Sequence, residues 1–160
     1  MKTFIFILSI LFTLNSYSQK LNVKSGNWTK NLRASDISEV GNDYSNSYLS
    51  KTNQSKITYS SYPKNKNDDK YAYFILYVHK EDYTWHPDLK LELKRTSGST
   101  NGNSTYYGTN FQTISNNTAL FFYSVGKVKN IPIQYQISGL SVLLPADSYS
   151  TEIVYTVMNY

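Results

Sequence analysis

The chain has no cysteine, two histidines (His79 and His86) and, beyond Leu14, no long apolar run. Without cysteine there is no disulfide framework, no thiolate metal site, no cysteine nucleophile and no lipid-acylated amino terminus. Two histidines exclude any three-histidine metal site. Only 7 Gly and 4 Pro occur, which excludes collagenous and proline-rich chains. Arginine is nearly absent. Of 16 basic residues, Arg33 and Arg95 alone are not lysine. The net charge of +5 therefore rests on scattered lysines, whereas phosphate and base recognition favours the arginine fork, so no nucleic-acid partner is expected. A weak pull toward an acidic polysaccharide or a cell surface suits such a charge better. No segment sustains the 3.6-residue apolar repeat of an amphipathic helix.

Aromatic residues are plentiful: 16 Tyr and 7 Phe in 160 residues, with 40% apolar residues, enough for a packed core and too many for a disordered chain. The amino-terminal segment, Met1 to Ser18, stands apart. Lys2 precedes the apolar run FIFILSILFTL (Phe4–Leu14), and a polar stretch, Asn15-Ser16-Tyr17-Ser18, follows. Ser16 and Ser18 are small residues at the spacing a signal peptidase reads, with cleavage before Gln19. Eleven helical residues reach about 16 Å, against roughly 30 Å of bilayer core. Residues 1–18 are thus read as a signal peptide and 19–160 as one secreted or periplasmic domain with no membrane span.

Past the leader the dominant pattern is period-two alternation, the mark of half-buried strands. Leu89, Leu91 and Leu93 alternate with Asp88, Lys90, Glu92 and Lys94. In Tyr71–Lys80, Ala72, Phe74, Leu76 and Val78 share one face, and Tyr71, Tyr73, Ile75, Tyr77 and His79 the other. A strand apolar on both sides belongs inside a sheet. Ile131–Ser138, a short piece over Leu140–Leu144 after a bend at Gly139, and Tyr149–Val157 complete the stronger set. Weaker strands are expected over Trp28–Ala34, Lys56–Tyr62, Asn110–Ile114 and Ala119–Val125. The predicted core includes Phe74, Leu76, Val78, Leu89, Leu91, Leu93, Ile133, Tyr135, Ile153 and Tyr155. Pro63–Lys70 is charged, and Thr96–Gly108, rich in Ser, Gly and Asn, reads as the longest mobile loop. Four Asn-x-Ser/Thr triplets, at Asn27, Asn53, Asn103 and Asn116, mark surface loops. Asp36-Ile37-Ser38-Glu39 resembles a helix capping box but meets Gly41 within a turn. Together these features predict an all-β chain: a single antiparallel β-sandwich of about 8–9 strands.

Two stretches could carry chemistry. Glu81-Asp82-Tyr83-Thr84-Trp85-His86-Pro87-Asp88 sets carboxylates beside a histidine, as a metal site or an acid–base pair would. Its spacing is unspecific, and a polar hairpin loop turned by Pro87 explains it. Asp68-Asp69, after Asn65 and Asn67, could supply oxygens to calcium but lacks the glycine and terminal glutamate of a calcium loop. Neither a cofactor, a metal nor a catalytic residue is expected. The alternative is a small secreted carbohydrate-active hydrolase using those loop carboxylates.

The carboxy-terminal stretch 131–160, IPIQYQISGLSVLLPADSYSTEIVYTVMNY, reads as strand, glycine break, proline turn and long terminal strand. With Pro145, Tyr149, Val154, Tyr155 and Val157 at matching positions, this ending resembles small exported bacterial Ig-like sandwich modules of the spore-coat-U and fimbrial-subunit type. The chain departs from them in having no disulfide and in carrying Ala146-Asp147-Ser148 at the turn. The resemblance implies an Ig-like fold and an exported structural or adhesive surface module, with a cell-surface protein or polysaccharide as partner. The residues themselves suggest where contact would fall. Tyr71, Tyr73 and Tyr77 project from one side of a strand, with Trp85 close behind, and aligned rings can stack on sugars or pack against a protein. Tyrosine is also a strong strand former, so plain packing under a covering segment is the competing expectation.

Overall fold

A computed structural model describes residues 19–33, 36, 44–45, 47–61 and 73–159. The leader, Pro63–Lys70 with its Asp68-Asp69 pair, Tyr71, and the Ile37–Glu39 part of the capping box lie outside the described residues. Those described fold into two antiparallel sheets packed face to face, an all-β sandwich. Ten strands build it: β1 (Gln19–Ser25), β2 (Ser47–Leu49), β3 (Ser55–Ser61), β4 (Tyr73–Asp82), β5 (Lys90–Arg95), β6 (Thr105–Tyr106), β7 (Gln112–Ile114), β8 (Ala119–Val125), β9 (Val128–Ser138) and β10 (Thr151–Asn159). One sheet runs β1-β3-β9-β5-β7, with β2 also on β9; the other runs β10-β4-β8-β6. From β3 onward the chain changes sheet at every connection, so consecutive strands never pair with each other.

Alternation decides which side chains enter the core. In β4, Phe74, Leu76 and Val78 are buried while Tyr73, Ile75, Tyr77 and His79 face away, and Leu91 and Leu93 do the same for β5. The core adds Ile57, Tyr59, Ile114, Phe121, Phe122, Val128 and Ile131 to the expected set, with Ile153 and Tyr155 packed at its margin. Each fully buried apolar side chain contributes about 1.5–3 kcal/mol. Phe121 and Phe122 are neighbours yet both buried, which a regular strand forbids. A bulge resolves this: Leu76 pairs with Phe122 and Tyr77 with Leu120, leaving Phe121 as the extra residue. Both phenylalanines turn inward, and Leu120 and Tyr123 on either side turn outward.

Two expected strands are absent. Trp28–Arg33 has no strand pairing; Trp28 leaves β1 after Gly26 and closes the end of the core, stacked on Tyr135 with centroids 6.4 Å apart. Leu140–Leu144 is a turn inside the crossing from β9 to β10. Gly139 starts that crossing at φ 83, and a Cβ there would collide with the Asp88 carbonyl oxygen, so only glycine fits. The segment from Tyr83 to Leu89 is no hairpin either, since β4 and β5 belong to opposite sheets. It arches over the sandwich end and is tied to the β9–β10 crossing by Thr84, whose hydroxyl donates to the Ser148 carbonyl at 2.8 Å and accepts from the Ser150 amide at 3.0 Å. Tyr149 braces the crossing by donating its hydroxyl to the Pro145 carbonyl at 2.7 Å. The four Asn-x-Ser/Thr asparagines all lie outside strands.

A chain of hydroxyls runs through the sandwich interior, while, among the described residues, Tyr48 Oη and His79 Nδ1 are buried without a hydrogen-bond partner. The Tyr135 hydroxyl donates to Ser55 Oγ at 2.6 Å and lies 3.2 Å from that of Tyr155. Burial, with Tyr135 adding to it, pushes the Tyr155 phenol well above its ordinary value.

Candidate functional site

The outer face of the four-stranded sheet is assembled from all of its strands. Register places Tyr106 of β6 opposite Tyr123 of β8, Tyr123 opposite Ile75 of β4, and Ile75 opposite Met158 of β10. Directly paired residues share a face, so these four form one row across the sheet, roughly 14 Å long at 4.7–4.9 Å per strand. Tyr73 pairs with Val125 on one side of the row, and Tyr77 lies between Leu120 and Thr156 on the other. Much of this is open to solvent: Tyr73 is 53% exposed, Tyr106 44%, Tyr107 65%, Leu120 38% and Met158 48%. Tyr77 is half-buried among its neighbours. Among the described residues, no formal charge enters the face until its far end, where Glu81 pairs with Glu152 and approaches His79 Nε2 at 3.5 Å.

Of the residues singled out from the sequence, Tyr73 and Tyr77 stand on this face. Trp85 does not. It sits in the arch, packs against the core, donates its indole N–H to the Leu89 carbonyl at 2.8 Å and lies under the Lys80 ammonium. In its place come Tyr106, Tyr107 and Tyr123, from segments distant in sequence. Tyr106 and Tyr123 stack at 4.8 Å with planes 19° apart, and Tyr107 meets Tyr123 edge-on at 5.4 Å. The only linear hint was the doublet Tyr106-Tyr107 before Gly108; the pairing that joins it to Tyr123 is a property of the fold.

The Thr96–Gly108 segment that carries this doublet is tied down by hydrogen bonds from several side chains. The side chain of Arg95 is buried, and no carboxylate bonds it among the described residues. Its Nε donates to the Tyr107 carbonyl, Nη2 to Thr105 at 3.0 Å and Nη1 to Ser97 at 3.4 Å, while its backbone amide donates to the Gly108 carbonyl at 2.6 Å. Burial lowers the guanidinium's pKa from its ordinary value. Ser124 fastens the same segment by donating to the Ser104 carbonyl at 2.6 Å, and Asn101 and Asn103 donate to Lys127. The clasp holds an unfavourable backbone: Tyr107 has φ 65, rare for a bulky side chain, and Gly108 follows at φ 72. A Cβ on Gly108 would meet the Phe121 carbonyl oxygen at 3.0 Å. Beside Tyr107 the surface drops into a groove of about 330 Å³, lined also by Thr109, Asn110, Phe111, Gln112 and Leu120.

The acidic arch divides its groups among separate partners. Lys80 pairs with Asp82, His86 Nδ1 lies 3.7 Å from Asp88, and the Tyr83 hydroxyl donates to Glu152 at 2.8 Å. Burial alone would raise the Asp82 pKa, but hydrogen bonds from Lys80 and Thr151 and the Lys80 charge outweigh it and hold the carboxyl low. Among the described residues, no group of three or more His, Asp or Glu converges to hold a metal ion. No family model, no curated protein and no solved structure matches the chain.

Proposed function

We propose that this chain is an exported, non-enzymatic surface module that binds protein or carbohydrate through the outer face of its four-stranded sheet. The observation that carries the reading is the exposure of Tyr73, Tyr106, Tyr107, Leu120 and Met158 together on one sheet face whose formal charges, among the described residues, lie only at its far end. Single exposed apolar residues are ordinary, whereas a contiguous patch marks a place of contact. Export is supported by the leader pattern of residues 1–18. The resemblance of the stretch 131–160 to exported surface modules points the same way, and in Tyr149 and Pro145 the matching positions are hydrogen-bonded to one another. The separately paired groups of the acidic arch support a non-enzymatic role.

The test compares the chain from Gln19 onward with a Tyr73→Ala, Tyr77→Ala double variant. Each is labelled and incubated with bacterial envelopes and with insoluble polysaccharides, and a Lys90→Ala, Lys94→Ala variant on the other sheet serves as control. The reading expects binding to fall in the tyrosine variant and persist in the control. Equal binding by all three, or release of soluble sugar by the unaltered protein, overturns it.

A further inference from the structure

The aromatic face and the groove beside it differ in kind. The face is a convex row of side chains, while the groove is concave and brings polar groups to an apolar wall, the usual form of a small-ligand site. Tyr107, Phe111 and Leu120 line it together with Asn110 and Gln112. The Gln112 amide N–H donates to the Leu120 carbonyl at 2.9 Å, so its orientation is set and its carbonyl oxygen is left as an acceptor. No lining residue is charged, and the two cations that touch the lining are engaged from behind it: the Lys94 ammonium lies over the Phe111 ring at 4.5 Å and the Arg95 guanidinium donates to the Tyr107 carbonyl. An aromatic wall with neutral amides and hydroxyls complements one class of partner: a sugar ring, whose C–H faces stack on the aromatic while its hydroxyls exchange hydrogen bonds with amides. An anionic polymer would find no cation inside the groove.

Strain supplies the second observation. A tyrosine at φ 65 persists only where surrounding contacts over-determine it, and here a buried guanidinium is spent on the carbonyls of Tyr107, Thr105 and Ser97. Nothing in the core needs Tyr107, whose ring is largely exposed. What the clasp achieves is a fixed ring at the groove's edge, and a ring ordered beforehand need not be immobilised on binding.

We infer that the groove lined by Tyr107 and Leu120 is a subsite for an uncharged polysaccharide, with Arg95 the positioning residue that holds Tyr107 at its wall, an assignment that rests on the carbohydrate arm of the function proposed above. The polymer continues from the groove onto Tyr106, Tyr123 and Tyr73.

Affinity electrophoresis of the chain from Gln19 onward, in gels containing neutral polysaccharides (a glucan, a xylan, a galactomannan) or acidic ones (alginate, polygalacturonate), tests this. Retardation is expected in at least one neutral gel, weakened about tenfold by Tyr107→Ala and by Asn110→Ala, both exposed positions whose replacement leaves the fold intact. Arg95→Lys keeps the charge and loses the fork; it should weaken retardation in the native background and have no further effect in a Tyr107→Ala background, a coupling that general destabilisation does not produce. If Arg95→Lys fails to fold by circular dichroism, Tyr107→Ala and Asn110→Ala still decide the subsite. Retardation lost in Tyr73→Ala, Tyr77→Ala but unchanged in Tyr107→Ala and Asn110→Ala overturns the groove and leaves the aromatic face standing. Retardation in acidic gels alone, or binding to envelope protein with none to any polysaccharide, overturns the inference and spares the broader function. Indifference of binding to every one of these substitutions overturns both.

Discussion

The two sheets turn opposite chemistries to solvent. On the outer face of the six-stranded sheet Lys20, Lys24, Lys56, Lys90 and Lys94 stand among Asn22, Thr58, Glu92 and Gln136. On the outer face of the four-stranded sheet stand five tyrosines with Ile75, Leu120, Val125 and Met158. Both faces belong to antiparallel strands of the same sandwich, and both sheets bury apolar side chains on their inner faces. Strand formation therefore does not explain the difference. A lysine-covered face keeps a sheet solvated and apart from its neighbours, while an aromatic face held open forgoes that protection.

The sharpest way to break this contrast lies within one strand. Leu76→Ala removes a fully buried side chain from the inner face of β4 and should cost about 2–5 kcal/mol in urea denaturation. Tyr77→Ala, one residue along on the outer face, should cost less than about 1 kcal/mol. Equal losses would mean that the outer face is covered and that its tyrosines are core.

A second, smaller effect concerns the end of β4 where charge replaces aromatic residues. The Asp82 carboxyl is held below its unfolded value of 3.8, so the stability it adds is present above that pH and is lost as pH falls through the lower, folded value. Acid unfolding followed by circular dichroism should therefore show a shallower decline below pH 3.8 in Asp82→Asn than in the native chain. An unchanged slope would leave the Lys80–Asp82 pair without a stabilising role.

The smallest effect belongs to the lysine face. Lys24 and Lys56 are directly opposed across β1 and β3. Lys56→Glu turns a repulsive pair into an attractive one and should raise stability by about 0.2–0.5 kcal/mol at low salt. The gain should vanish near 1 M salt, where the screening length falls to about 3 Å. Binding to polysaccharide or envelope should not change, which separates the two faces by function as well as by charge.

Strands whose polar and apolar residues alternate were readable directly. β5 and β9 show one greasy and one polar face, and β4 shows Phe74, Leu76 and Val78 against a tyrosine face. Period two is local, so it survives in the linear string. Three things did not survive. The bulge at Phe121 exists only relative to β4, so the doublet Phe121-Phe122 gave no sign that both rings turn inward. Leu140–Leu144 has strand-like composition, but Gly139, pressed against the Asp88 carbonyl, turns the chain away before it can pair. The aromatic face was half visible. Tyr73 and Tyr77 alternate in one strand, whereas Tyr106, Tyr107 and Tyr123 join them through strand pairing and through an arginine whose contacts lie 2 to 12 residues ahead of it. Composition marked Thr96–Gly108 as a loop and could not show that Arg95 fastens it.

The switch of sheet at every connection from β3 onward has a consequence in time. No strand after β3 can zip onto the one made just before it, so the microsecond hairpin that begins the folding of many sheets is not available. β9 is the partner of β2, β3 and β5, and it occupies Val128–Ser138, so it is made after all three. Until those residues emerge, the earlier strands of the larger sheet have no central template. The larger sheet must wait for β9 and then fold through distant contacts, in the millisecond-to-second range of such topologies.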